Sequence, residues 1–180
     1  MQRIVYLHVP VAWLSLLGLL MMAGTGVAYL LTRNLSWDRW SQAAAELGWL
    51  CCGLTLATGS LWAHAAWGTW WTWDPRLTSA FVLWMIYSSY LILRAQWDDP
   101  HRRGRLSAVF AILGAVDVPL VIVAAHWFRG IHPATAAMEP AMRTALWCSV
   151  AGFTVLFTLL LTCRRRQLQF QASKDLDQCG

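Results

Sequence analysis

The sequence predicts an all-α integral membrane protein, a bundle of five transmembrane helices with its N-terminus outside and its C-terminus inside. Three observations predict it. Of 180 residues, 58% are hydrophobic and only 13% charged, about half the charged fraction usual in a soluble domain. Five apolar runs are long enough to cross a hydrocarbon core of roughly 30 Å at about 1.5 Å per residue. The cations, finally, crowd into alternate connections between those runs. Thirteen Trp and the shortage of charge exclude a disordered chain, while twelve Gly without a triplet period and only five Cys exclude a collagen-like or disulfide-dense scaffold.

The first run, residues 4–32, carries no acidic or basic residue except His8. Residues 33–41 read as a polar turn, and 42–63 as a second span with Glu46 near its entry. A third span over 77–93 is started by Asp74 as N-cap and Pro75 at the first helical position, where a missing N–H costs nothing. Residues 94–105 end it. The fourth span, 106–127, tolerates Asp117, and the fifth, 144–163, is stopped by Arg164, Arg165 and Arg166. This places a single membrane domain over 1–163, with outer loops 64–76 and 128–143, and a cytoplasmic tail over 164–180.

Orientation follows from the positive-inside rule. Connections 33–41 and 94–105 and the tail hold ten of the fourteen cations, whereas the N-terminus, 64–76 and 128–143 hold Arg3, Arg76, Arg129 and Arg143. The ten face the cytoplasm and the four face out. The net charge of +5 is therefore a statement about topology, and no basic reading face for nucleic acid is interleaved with it.

Three features meet at the outer face. His8 lies at the mouth of the first span, His132 lies in the last outer loop, and between them sits Trp67-Gly68-Thr69-Trp70-Trp71-Thr72-Trp73-Asp74. An aromatic belt explains one or two Trp at a helix end. Four in seven residues form a large, flat, partly apolar surface for a planar conjugated molecule, with Gly68 permitting close approach of the backbone. Two imidazoles flanking such a platform suit haem held from both faces. Arg76, Arg129 and Arg143 are the outer cations that could pair with its propionates, although each is also an ordinary interfacial anchor.

The segment from Trp67 to Asp74, continued by Pro75-Arg76-Leu77-Thr78-Ser79, resembles the signature of the tryptophan-rich (WWD) haem-handling family of cytochrome c biogenesis. Arg3-Ile4-Val5-Tyr6-Leu7-His8-Val9-Pro10 resembles the first-histidine motif of its cytochrome c maturation protein C branch. Trp127 to Arg143, with Met138-Glu139-Pro140-Ala141-Met142-Arg143, resembles that branch's second-histidine loop. The Arg-Leu-Thr ending and the short length favour this branch over the longer haem lyases. The resemblance implies that His8 and His132 are axial ligands of non-covalent haem b. It implies that Trp67, Gly68, Trp70, Trp71, Trp73 and Asp74 present the haem to a periplasmic haem chaperone at the bacterial inner membrane. It also implies two partners, a small single-span subunit and an ABC-type complex that releases the loaded chaperone. Members of the family carry six spans with both termini inside, whereas this chain opens at the motif of the usual second span, which is expected either of a truncated or misassigned start or of a five-span variant, with His8 on the outer side in both cases.

Other residues carry less. Asp117, followed by Pro119, is equally a functional intramembrane acid and a structural one satisfying a kinked helix. His64 and His126 are alternative ligands near outer helix ends, and His101 lies among cytoplasmic Arg. Cys51, Cys52, Cys148, Cys163 and Cys179 form no Cys-x-x-Cys pair, and without Cys-x-x-Cys-His the chain is no c-type cytochrome. No phosphate-loop motif is present, the only Lys being Lys174, so no ATPase and no chemical step of its own is expected. The competing reading is a b-type cytochrome carrying electrons across the membrane, which would bury its His pairs within spans. A haem transporter lacks a polar pathway beyond Asp117.

Overall fold

A computed structural model describes residues 2–119, 123 and 138–178. A short 3-10 turn, Gln2–Ile4, leads into α1 (Val5–Thr32), followed by α2 (Leu35–Trp67), α3 (Pro75–Ala95), α4 (Pro100–Ala115) and α5 (Pro140–Gln178). Four of these, α1, α2, α3 and α5, are long and apolar enough to cross a membrane. The chain is a multi-pass helical membrane protein. The fourth expected span runs beyond the described residues: α4 is followed by a turn at Val116 and helical residues 117–119.

Helix ends are set by local chemistry. Arg33 adopts the left-handed conformation, with φ of 56°, and its N–H closes α1 onto Tyr29 O at 2.7 Å. Asn34 immediately caps α2, its side chain accepting from the Ser36 N–H at 2.9 Å. The expected polar turn over 33–41 is thus two residues long, and α2 begins seven residues earlier than residue 42. Asp74 caps α3 as anticipated, Oδ1 accepting from the N–H groups of Arg76 and Leu77 at 3.0 and 2.9 Å. The same device recurs at α4, where Asp99 accepts from His101 and Arg102 and Pro100 takes the first helical position. Residues 164–178 continue α5 as helix beyond the expected stop at Arg164.

The packing is that of a bundle in lipid. α1 and α2 cross so closely that a Cβ on Gly18 would lie 3.0 Å from Gly48 Cα, a small-residue contact that lets backbones approach. Around it Leu14, Leu19, Met22, Leu83 and Tyr87 are buried, while Leu31, Val155 and Leu159 point outward with more than half their surface exposed. Of the most apolar window of each helix, 39% is buried in α1 and 11% in α5, so α1 is central and α5 peripheral. Several buried polar groups are paired across helices. The Tyr87 hydroxyl donates to Ser15 O at 2.7 Å, and Arg94 forks onto Asp38, with Nη1 to Oδ1 at 2.7 Å, while also donating to Ser107 at 3.0 Å. Glu46 accepts from Arg164 and from Gln42, which ties α5 to α2.

The helix directions give the bundle two distinct ends. One gathers the start of α1, the end of α2, the start of α3 and the start of α5; the other gathers most of the arginines.

A tryptophan-walled cavity at one end of the bundle

His8 stands in the first turn of α1, partly buried, its Nδ1 2.9 Å from Thr58 Oγ1 on α2. It lines a cavity of about 160 Å³ between α1, α2 and α3 together with Trp62, Trp67, Arg76, Gly59 and Ser15. That is below the roughly 300–1,000 Å³ of a pocket enclosing a drug-sized ligand. Arg76 reaches it because Asp74 and Pro75 start α3 there, and Trp67 because α2 runs to Gly68 before it stops.

The loop between α2 and α3 is held by its own side chains. Gly68 has φ of 72° and its N–H donates to His64 O at 2.9 Å, a left-handed helix cap that explains the glycine. A Cβ there would meet nothing within 4 Å among the described residues, so the backbone at this turn lies open. Ser60 donates to Trp70 O at 2.7 Å, and Thr72 donates to Asp74 Oδ2 at 3.0 Å. Both oxygens of Asp74 are thereby engaged in holding the loop and the helix start.

The four loop indoles do not make one flat surface. Trp70 stacks on His64 at 4.0 Å and 6°, Trp67 tilts against Trp62 at 5.1 Å, and Trp71 meets Trp73 edge-on at 5.7 Å and 80°. The reason is the loop's short span between two helix ends, which sends successive side chains to different sides. Trp67 faces the His8 cavity. Trp71 and Trp73 instead line a second groove of about 490 Å³ with Phe81, Trp84, Gly53, Leu56 and Ser60. The indole N–H groups of Trp71 and Trp84 are enclosed and have no hydrogen-bond partner among the described residues. Buried donors are nearly always satisfied, so these two invite an acceptor.

The structure thus brings His8, Trp67 and Arg76 together, groups Trp71 with Trp73, and leaves Trp70 with His64. Arg143 is exposed in the first turn of α5. His132 and Arg129, as well as His126, lie outside the described residues. Gly59, Phe81 and Trp84 line these surfaces, and Thr58 is bonded to His8; none carries a sequence signal, because α-helical spacing alone does not reveal which face meets a neighbour. A larger groove of about 780 Å³ between α1 and α5 is lined by Val9, Trp13, Trp147 and other apolar or Thr residues, without a titratable group among the described residues.

Fold and cavity together define a multi-pass helical membrane protein with an imidazole, a guanidinium and a tryptophan wall at one end. The chain belongs to the heme exporter protein C family, CcmC, whose family model matches residues 1–178. It is similar to the heme exporter protein C of Bradyrhizobium diazoefficiens, with 34% identity over 92% of this chain and 66% of that protein. The protein of the same description from Paracoccus denitrificans is 36% identical over 91% of this chain and 71% of the relative. That from Escherichia coli K12 is 34% identical over 92% and 69%. The chain spans about two thirds of the length of these curated relatives.

Proposed function

We propose that this protein binds haem at the tryptophan-walled end and delivers it to a periplasmic haem chaperone during cytochrome c maturation. Membership of the heme exporter protein C family supports a role in haem handling for that pathway. A ccmC-like mitochondrial relative from Marchantia polymorpha, 36% identical over 72% of this chain, bears a description in cytochrome c biosynthesis.

The observation that carries the reading is the meeting around one small cavity of His8 from the start of α1, Trp62 and Trp67 from the last turns of α2, and Arg76 from the start of α3. The residues fit non-covalent haem b. Neutral imidazole is a usual axial ligand of haem iron, a half-buried guanidinium pairs with a carboxylate, and indoles give the macrocycle an apolar wall. His8 and His132 are the residues that would hold the haem iron, and Arg76, Arg129 and Arg143 those that would pair with its propionates. Trp71 and Trp73, with enclosed N–H groups nearby, form the surface on which the loaded chaperone docks. Gly68 and Asp74 act by shaping the loop. Haem supplies its own iron chemistry; this chain's residues position it.

The membrane domain over 1–163 lies in the bacterial inner membrane with loops 64–76 and 128–143 in the periplasm and the tail over 164–180 in the cytoplasm. A small single-span subunit and an ABC-type release complex complete the assembly. The test is spectroscopic: the protein purified from membranes carries haem with a six-coordinate visible spectrum, and His8→Ala and His132→Ala each alter it. Wild-type spectra in both, with loss in His64→Ala or His126→Ala, would favour a b-type electron carrier instead.

A further inference from the structure

We propose that the arginine-rich end of the bundle holds a site for the phosphate of an anionic membrane lipid, formed by Arg165 of α5 with Ser36 and Arg39 of α2. The proposal needs only that these helices span a membrane, and it is independent of the haem reading.

The arginines at this end divide by partner. Arg94 is forked onto Asp38 and Arg164 onto Glu46, which commits both acids that α2 carries. Arg39 and Arg165 are half-buried and make no ion pair among the described residues, and the Nε of each is enclosed without a hydrogen-bond partner. They are nevertheless brought to one surface. Ser36, Arg39 and Trp40 stand three and four residues apart and share a stripe of α2. Against that stripe α5 lays Arg165, its guanidinium 5.4 Å from the Trp40 ring centroid and its Nη2 donating to Ser36 Oγ at 3.1 Å. Two cations partly withdrawn from water without a counter-charge are costly, and an anion between them removes the cost.

The chemistry is that of a phosphate. A guanidinium only donates, so Ser36 Oγ is the acceptor of the Arg165 bond, and its own hydroxyl proton finds no acceptor among the described residues. The hydroxyl is in the first turn of α2, where the helix dipole also favours negative charge. Stacking on Trp40 holds the guanidinium plane, and a planar fork matches phosphate oxygens in pairs. The place selects a lipid over a dissolved anion. Residues 144–163 of α5 carry no charge, and Arg165 follows within two residues of their end. Trp37, 40% exposed, and Trp40 flank the start of α2 as interfacial indoles do. The arginines therefore lie at the depth of the head groups, where basic sites between spanning helices recognise anionic lipids. A lipid held there bridges the peripheral α5 to α2 and stabilises the folded chain by mass action.

The experiment uses the full chain in detergent, titrated with phosphatidylglycerol or with phosphatidylcholine of the same acyl chains, bound lipid being counted by native mass spectrometry. Phosphatidylglycerol is expected to bind the unaltered protein at least about fivefold more tightly than phosphatidylcholine, and Arg165→Gln and Arg39→Gln each to weaken it about fivefold. Arg166→Gln removes the same charge from the exposed neighbouring position and should leave binding nearly unchanged. Equal losses in the three variants would mean that the arginines attract the membrane collectively, and would overturn the site; so would undiminished binding in Arg165→Gln. Equal binding of the two lipids by the unaltered protein would overturn it as well, and that comparison stands even where a variant fails to insert. Inorganic phosphate is expected neither to displace the lipid nor to raise the melting temperature as the lipid does. If it does both, the occupant is a dissolved anion and the lipid site is refuted.

Discussion

Arg94 shows how far a residue's meaning depends on its partner. Read along the chain it is one of four cations in a connection between spans; in the structure its side chain is 5% exposed and forks onto Asp38, itself 5% exposed, from the first turn of α2. Taking two charges out of water is costly, and the pair is tolerated because both carboxylate oxygens are met and Ser107 takes a further N–H at 3.0 Å. Its contribution is specificity of assembly, since it joins α2, α3 and α4 at one point. Removing one member leaves the other as an unpaired buried charge. Arg94→Met is therefore expected to destabilise the folded protein by about 3–5 kcal/mol, read as loss of thermal stability in detergent. The double variant Asp38→Leu/Arg94→Met should recover most of that loss. If single and double variants melt alike, the pair is not the fastening described here.

At the scale of elements, the sequence was most legible where chemistry is local. The Asp74-Pro75 start of α3 could be read directly, because an N-cap and a proline at the first position act within three residues. Asp99-Pro100 is the same signal at α4, hidden within a stretch whose charge suggested a loop. The start of α2 was obscured for a similar reason: Asp38 and Arg39 look like turn residues until Arg94, 56 positions away, supplies the partner that lets Asp38 be buried. Long-range pairing leaves no trace in periodicity. The candidate site divides along the same line. His8, Arg76 and the tryptophans stand out by type and spacing, whereas Thr58 and Gly59 matter only because α1 crosses α2 where it does. The flat platform suggested by four clustered Trp gives way to three separate aromatic contacts, since a short loop between helix ends cannot point successive indoles in one direction.

For the whole molecule, the proposed orientation places the cavity end in the periplasm. Arg94 and Arg164 are paired with Asp38 and Glu46, yet eight cations remain on the inner connections against four on the outer ones, so the asymmetry that sets topology persists. A periplasmic reporter joined after Ala66 or after Ile131 should be active and one joined after Pro100 inactive; the reverse would put the tryptophan loop in the cytoplasm. The central claim is that the tryptophan-walled end presents haem to another protein. Indoles that only anchor a loop at the interface contribute little that a membrane cannot replace, whereas stacked pairs contribute about 0.5–1.5 kcal/mol each beyond buried area. The direct measurement is the yield of haem-loaded chaperone recovered with Trp70→Ala/Trp71→Ala/Trp73→Ala, keeping His8 and His132 intact. The account predicts normal insertion, weakened or displaced haem and little loaded chaperone; undiminished loading would show that the loop is an interfacial anchor and contradict it.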